Sequence, residues 1–441
     1  MKTLADHQIR ALDMMEAMPC MALFPEAGTG KTMIALAYIH KHLIQGDIEN
    51  VLVVCPKSII ASWRLAIRNM GEFGYTPLDI EIVEDSLTII SYQRLWKANG
   101  TVRGYKKYAL RDNIDRHWDV CFIDESHRLG DPKSVQTKTA LKLAEKCDHR
   151  YIMTGTPDSG NYVKLYGQIK FLDPLIWKNY REFDMRYVIA RDFFKRPIRF
   201  DVDALESLKR AYGFVARLRD CYDMPSSTEA DYPVEHASDG VYKDFISNNV
   251  SEYGLDIKVA GTGVLKALQT CSGFYLDDDG ITHDVGTDKT DVLMTLLESN
   301  DDKTVVFCEY RVSIDRIDAL LTKKGISHYV FDGRSTDPLW QDFQKDDTRV
   351  FVAQYQRGSE GIDLFAANRM IFYETTKSAY LLEQAKARIM RKGQVSHCTY
   401  SFIYCQDTIE ERMMRSVRNN VDVSRHMLDE WALDERKRLE K

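Results

Sequence analysis

The feature that most constrains this chain is a repeated short run of apolar residues. In the first half the runs are MALF before a glycine-bearing turn, VLVVC at 51–55, LTII at 87–90, DVCFI at 119–123 and YIM at 151–153. In the second half they are TVVFC at 304–308, HYVF at 328–331, RVFVA at 349–353, RMIFY at 369–373 and TYSFIY at 399–404. All-apolar runs of strand length, spaced by helical-length segments, read as parallel strands buried on both faces. The expected fold class is α/β, with two doubly wound parallel-sheet lobes. The expected boundaries are 1–160 for the first lobe, 161–285 for helical insertions and a linker, and 286–441 for the second lobe with a C-terminal helix. Residues 161–285 lack strand rhythm, and MPSSTEADYP at 224–233 reads as the linker.

Composition narrows the class. With 44% hydrophobic and 29% charged residues among 441, the chain can bury large cores and is not a disordered type. No apolar run approaches the roughly 18 residues of a membrane span, and the opening MKTLADHQIR lacks the apolar stretch of a secretory signal. Nine scattered cysteines, the closest pair being Cys398 and Cys405, form neither a disulfide framework nor a zinc pattern. A cytoplasmic, monomeric protein without a membrane partner is the expectation. The net charge of −6 hides a division: residues 231–300 hold 13 acidic and 4 basic residues, a net of −9, so the remainder carries +3. RYVIARDFFKRPIR at 186–199 interleaves five basic residues with Tyr187, Phe193 and Phe194. It reads either as a solvated helix face or as a phosphate-backbone contact.

Three segments carry chemistry. In LFPEAGTGKTMIAL at 23–36, a strand enters a turn in which Gly28 and Gly30 let backbone N–H groups converge on phosphate oxygens at a helix start. Lys31 would reach the outer phosphates and the Thr32 hydroxyl would ligate Mg²⁺. Pro25 stands where such loops usually begin with Gly or Ala. WDVCFIDESH at 118–127 ends a buried strand in two carboxylates: Asp124 can hold Mg²⁺ through water, and Glu125 can orient or deprotonate an attacking water. A TGTP turn follows, with Thr154 and Thr156 placed to sense the terminal phosphate. In EQAKARIMRKGQ at 383–394, a continuous helix would project Gln384, Arg388 and Arg391 from one face, as charge neutralisation on a transferring phosphoryl group requires.

In this order the motifs resemble a superfamily 2 helicase-type motor, and within it the Snf-type DNA translocases. LADHQIRALD resembles the adenine-reading Q motif, with Gln8 as its glutamine. VCPKSIIASW, IISYQRL, DESHRLGDPKS and YIMTGTPDSGN resemble motifs Ia to III, and LYGQIKFLDP the helical start of the family's first insertion. VVFCEYRVSIDRI, YVFDGR, QYQRGSEGIDL and EQAKARIMRKGQ resemble motifs IV to VI. Tyr355, Gln356, Asp363 and Met390 depart from the family pattern.

The resemblance implies two RecA-like lobes with helical insertions, the second being the helicase C-terminal lobe. It also implies ATP and Mg²⁺ as cofactors and DNA, duplex or branched, as partner. It places the nucleotide on Gln8, Gly28, Thr29, Gly30, Lys31, Thr32, Gly361 and Asp363, with catalysis by Lys31, Asp124, Glu125, Gln384, Arg388 and Arg391 and the metal on Thr32 and Asp124. Backbone contacts to DNA fall to Lys57, Ser58, Ser91, Tyr92, Arg311, Arg334, Gln356 and Gly358. A helix cap at Ser58, core packing at Tyr92 and Trp63, and a simple backbone turn at Gly361 are the competing readings. A chain that is nearly all motor is most like compact bacteriophage enzymes that migrate DNA branches, and so points to remodelling of forks and Holliday junctions in replication or recombination. A duplex translocase that displaces proteins without separating strands is the alternative. A nucleotide-gated DNA-binding module with little hydrolysis is a third reading.

Overall fold

The computed structural model describes residues 2–102, 105–158, 160–191, 195, 197–236, 239–248, 257–335, 338–359 and 361–439. The chain divides into two compact units, Met1–Asp223 and Met224–Lys441.

In the first unit, helix α1 (Asp6–Ala17) leads into β1 (Cys20–Leu23), α2 (Lys31–Gln45), β2 (Val51–Cys55), α3 (Ile60–Arg68), α4 (Pro77–Ser86) and β3 (Leu87–Ser91). A hairpin of β4 (Trp96–Val102) and β5 (Tyr105–Leu110) precedes β6 (Trp118–Asp124), α5 (Val135–Ala144), β7 (Cys147–Met153) and α6 (Lys164–Leu172). A second hairpin, β8 (Val188–Arg191) with β9 (Pro197–Phe200), is followed by β10 (Gly213–Phe214). Six strands form one parallel sheet in the order β10-β1-β7-β6-β2-β3. Successive residues of β2 show why it had to be wholly apolar. Val51, Val53 and Cys55 enter one core with α1 and α2, while Leu52 and Val54 enter the opposite core with Leu129, Ala140 and Leu143. The helical insertion carries its own aromatic cluster, in which Tyr166, Trp177, Phe183 and Tyr187 are buried around Leu165 and Leu205.

The second unit repeats the plan. Its strands are β11 (Ser227–Val234), the short hairpin β12 (Phe274–Leu276) and β13 (Thr282–Asp284), then β14 (Thr304–Cys308), β15 (His328–Phe331), β16 (Val350–Gln354), β17 (Arg369–Phe372) and β18 (Cys398–Cys405). The parallel sheet runs β11-β18-β17-β14-β16-β15. The α/β class with two parallel-sheet lobes is therefore the observed one, and all ten apolar runs lie in the two sheets. Among the described residues no helix is long and apolar enough to cross a membrane, and the nine cysteines are free thiols.

The span 161–285 is not a separate helical region. Its first part belongs to the first unit, where β10 extends the sheet, and its last part to the second unit, where β11 forms the sheet edge. Most of the 224–233 segment read as linker is strand: β11, Ser227–Val234, pairs along its whole length with β18. An edge strand has one solvated side and needs no apolar run, and Pro233 is tolerated there because one side of the backbone bonds nothing. The stretch 186–199 is helical only at Arg186 and Tyr187, the end of the helix Tyr180–Tyr187; beyond them β8 and β9 pair antiparallel, and Phe193 and Phe194 lie outside the described residues.

A fully buried ion pair joins three elements of the second lobe. Lys289 contacts Glu410, whose other carboxylate oxygen accepts the Cys405 N–H at 2.9 Å, and the same ammonium lies 3.4 Å from the Tyr373 carbonyl. Removing one partner strands a buried charge, at a cost of about 3–5 kcal/mol. Glu410→Ala is therefore expected to lower the unfolding free energy by about that much in urea, and Lys289→Met with Glu410→Leu to recover most of the loss. A single variant as stable as the parent would contradict the assignment.

Candidate active site

In the first lobe the site is built at the carboxyl ends of β1, β6 and β7, where an open α/β sheet presents its loops. β1 runs into the turn before α2. Phe24 and Glu26 donate their N–H groups to the carbonyls of Phe214 and Ala216, each at 2.9 Å. Pro25 sits between them, at a position from which that pairing takes no N–H, so the departure from Gly or Ala leaves it intact. Gly28 and Gly30 both have φ of 85°, the left-handed region, and Gly30 caps α2. Lys31 is the first residue of the helix and half-buried Thr32 the second, so both stand at its positive end.

The loop is braced from behind. Buried Gln8 accepts the Ala5 N–H at 2.9 Å and donates to the Thr29 carbonyl at 3.1 Å, while His7 Nε2 lies 2.9 Å from the same carbonyl. Thr29, itself fully buried, donates to the Glu26 carbonyl at 2.7 Å. A Cβ at Gly30 would stand 2.3 Å from the Gln8 amide nitrogen. Gln8 therefore serves in this structure as a strut for the phosphate loop, its amide bonded to backbone through both its oxygen and its nitrogen. The Lys31 ammonium rests on the Pro25 and Glu26 carbonyls at 2.9 and 3.2 Å.

Opposite the loop, β6 delivers the two carboxylates. Asp124 is buried; its carboxylate accepts the Trp63 indole N–H at 2.8 Å and the Glu125 N–H at 2.9 Å. Burial first, then repulsion from Glu125, pushes the Asp124 carboxyl up to about 7, while the Trp63 hydrogen bond and the Lys31 charge pull it down. Glu125 adopts φ 52°, ψ 50°, a left-handed conformation that costs a residue with a Cβ about 1–2 kcal/mol. That turn brings its Oε2 to 3.3 Å from both the Thr154 hydroxyl and His127 Nδ1, with His127 and Thr154 3.1 Å apart. Thr154 in turn accepts the Thr156 N–H at 3.2 Å. A Cβ on Gly155 would meet Ala27 N at 2.9 Å, so this turn packs directly on the phosphate loop. Gln168 of α6 accepts the Ser126 hydroxyl at 2.8 Å and donates to the Pro157 carbonyl at 2.6 Å, tying the carboxylate and threonine turns to the first helical insertion.

Convergent N–H groups, one lysine, one hydroxyl at a helix start and a buried carboxylate form a donor set suited to a magnesium-bound triphosphate. Thr32 and Asp124 are the residues that would hold the metal.

In the second lobe the arginine segment departs from expectation. The helix carrying Gln384 ends at Lys386, and Arg388 and Arg391 lie in the turns that follow. They are still gathered, by a different device. Buried Arg388 donates to the Gln384 side-chain oxygen at 2.7 Å and to the Ile362 carbonyl at 3.0 Å, and Arg391 reaches that carbonyl at 3.0 Å. Asp363 forms an ion pair with Arg391, and Gly361, at φ 71°, turns the backbone just before Ile362. Asp363 thus holds an arginine in place here, where a nucleotide contact was expected.

The expected DNA contacts sort by burial. Lys57, Arg311 and Gln356 are exposed just past β2, β14 and β16. Ser58 lies inside a one-turn 3-10 segment, Lys57–Ile59, and not at the cap of α3, which is Ile59. Tyr92 is not available to a ligand: it is buried, with its hydroxyl donating to the Asp124 and Glu125 carbonyls at 2.8 and 3.1 Å. Ser91 is likewise buried, and Gly358 is there because a Cβ would clash with Ala353 and Phe307 at 2.8 and 2.9 Å. Arg334 is half-exposed but pairs with Asp315 and Asp332. Trp63, read from sequence as core packing, and His127 and Gln168, left unassigned there, are the partners that hold the carboxylate turn.

Residues 7–223 match the SNF2-related domain and residues 288–393 the helicase conserved C-terminal domain. The chain is 23% identical over 91% of its length to the SWI/SNF-related matrix-associated actin-dependent regulator of chromatin subfamily A-like protein 1 homolog of Caenorhabditis elegans, covering 58% of that protein. It is 22% identical to the DNA repair and recombination protein RDH54 of Saccharomyces cerevisiae over 89% of its length, and to the human DNA annealing helicase and endonuclease ZRANB3 over 90%, covering 50% and 38% of them. The chain thus spans about half the length of the curated relatives it matches. Among solved structures, the Sulfolobus solfataricus SWI2/SNF2 ATPase core in complex with dsDNA aligns over all of this chain and 95% of that one, at 20% identity and a TM-score of 0.42.

The elevated Asp124 pKa makes a signed prediction. Between the ordinary carboxyl value of 3.8 and about 7 the folded state keeps a proton that the unfolded state releases, so stability falls as pH rises through that window. Without nucleotide or metal, Asp124→Asn is expected to gain thermal stability relative to the parent as pH goes from about 4 to 7, read as the difference between the two melting profiles. A difference that does not vary with pH would refute the burial argument. The SNF2-related domain at 7–223 and the helicase conserved C-terminal domain at 288–393 place this chain in the Snf-type branch of superfamily 2.

Proposed function

We propose that this chain is an ATP-dependent DNA motor that remodels branched DNA such as forks and Holliday junctions. The observation that carries the reading is the connected network of phosphate loop, Asp124, Glu125 and Thr154 in the first lobe. In it, Lys31 leaves its two carbonyls to meet the outer phosphates. Glu125, set by its left-handed backbone and by Thr154 and His127, takes the proton of the attacking water. Asp124 and Thr32 would hold Mg²⁺, which would supply charge neutralisation at the phosphates. Arg388 and Arg391 are the arginines that offset charge on the transferring group, oriented by Gln384 and Asp363. The Thr154–Gln168 chain of contacts gives hydrolysis a route into the helical insertion.

DNA is the proposed partner because the relatives' names speak of DNA repair, recombination and annealing, and the likeness to compact bacteriophage enzymes extends the reading to branch migration. Lys57, Ser58, Arg311, Arg334 and Gln356 grip backbone irrespective of sequence. A cytoplasmic, monomeric protein completes the proposal.

ATP turnover is expected to rise strongly with DNA and to be abolished by Lys31→Ala or Glu125→Gln, with ATP binding retained in Glu125→Gln. Arg388→Ala should leave nucleotide affinity within a fewfold while removing hydrolysis. Strand exchange on a four-way junction and unwinding of a fork, both dependent on ATP, support branch remodelling. Translocation without strand separation would assign the chain to the duplex translocases instead. Normal turnover in Glu125→Gln would remove it from the role of base.

A further inference from the structure

One basic surface lies apart from the phosphate loop and its carboxylates. Among the described side chains, the β4–β5 hairpin and the residue after it carry Lys97, Lys107 and Arg111, and α5 carries Lys138 and Lys142; neither segment holds an acidic residue. Five cations beside one neighbouring carboxylate, Asp112, in a chain of net charge −6, are a local concentration that a solvated surface does not need. Some of them are engaged: Lys97 pairs with Asp112, and Arg111 donates to the Trp96 carbonyl. Lys107, Lys138 and Lys142 are exposed, and among the described residues no carboxylate pairs with any of them.

These three lysines border one groove. It measures about 460 Å³ between the hairpin and α5, and Tyr108, Val135 and Leu141 line it with them. Lys138 and Lys142 are one helical turn apart and so point the same way. Lys142 also touches the Tyr108 carbonyl at 3.4 Å, which holds the two walls together. The floor is apolar and aromatic while the rim is cationic. A duplex offers phosphates to such a rim but keeps its base faces stacked inside, with nothing to cover Val135 and Leu141. A peptide rich in carboxylates would satisfy the lysines but not a flat aromatic. Single-stranded nucleic acid presents both an anionic backbone and exposed base faces.

We propose that the groove between the β4–β5 hairpin and α5 binds a single-stranded segment of the DNA substrate, with phosphates on Lys107, Lys138 and Lys142 and a base on Tyr108. The inference rests on the DNA-motor reading and deepens it. A branched substrate exposes single strands beside its duplex arms, and a seat for one of them distinguishes a junction from plain duplex. The groove uses neither the phosphate loop nor the carboxylates, so it operates without nucleotide.

The test uses the full chain, without ATP, titrated into fluorescent oligodeoxythymidylate, a fork with one single-stranded arm and a blunt duplex. Lys138→Glu with Lys142→Glu is expected to weaken binding of oligodeoxythymidylate and the fork about tenfold or more. It should also flatten the slope of log affinity against log salt by about 1.4, because each single-strand phosphate that a lysine no longer neutralises removes about 0.7 from it. Affinity for blunt duplex, and the ATPase it stimulates, should stay within twofold. Tyr108→Ala is expected to weaken oligodeoxythymidylate about tenfold with the salt slope unchanged, as loss of stacking does. Equal losses on blunt duplex and fork, or no loss on either, overturn the proposal, as does an acidic peptide that competes with oligodeoxythymidylate at equal concentration. If no DNA stimulates ATP turnover, the motor reading fails while the oligodeoxythymidylate titration still decides whether the groove binds a strand.

Discussion

The arrangement depends on one energetically unfavourable act, the burial of the Asp124 carboxylate at the end of β6. A lone carboxylate in that place would take up a proton, and its raised pKa records the tendency. Two donors, the Trp63 indole and the Glu125 N–H, counter it, and Lys31 adds its charge. Each donor fixes something else in return. Trp63 locks α3 and the segment that follows β2 to the site, and the Glu125 N–H belongs to the strained turn that aims the second carboxylate at Thr154. Tyr92 closes the same junction from β3 by binding both carbonyls. Segments that a motif reading treats as DNA contacts and segments it treats as catalytic are one rigid assembly.

The two lobes solve different problems with the same sheet plan. The first arranges anion-seeking groups around a turn in which glycine is needed at Gly30, because its φ of 85° is one that residues with a Cβ rarely adopt. The second concentrates cations on a carbonyl, Ile362, which restrains Arg388 and Arg391 together although no continuous helix carries them. Lys289 and Glu410 show that this lobe accepts a buried ion pair to join a helix to the last strand of its sheet.

Much of this was legible in the sequence, for a physical reason. A strand covered on both faces can hold little but apolar residues, so ten runs marked ten sheet strands. Where that pressure relaxes, the signal disappears. β11 is solvated along most of its length and looked like a linker, and β10 is two residues long. The phosphate loop and the Asp124–Glu125 pair were readable because their chemistry needs fixed spacing along the chain. The Trp63–Asp124 hydrogen bond joins residues 61 positions apart, and no local pattern announces it. Tyr92 and Gly358 misled because an aromatic and a glycine in a motif are as useful for packing as for contact. Arg388 and Arg391 were placed on a helix by periodicity, which takes no account of where the helix stops.

The position of the Lys31 ammonium on the Pro25 and Glu26 carbonyls has a consequence for selectivity. An incoming anion must replace two ready-made oxygen partners before it gains anything from the lysine. A ligand with a single phosphate has few oxygens to spare for that exchange, whereas a chain of three can fill the glycine turn while one end competes for the ammonium. The two carbonyl partners of Lys31 thus set a threshold that a triphosphate meets more readily than orthophosphate.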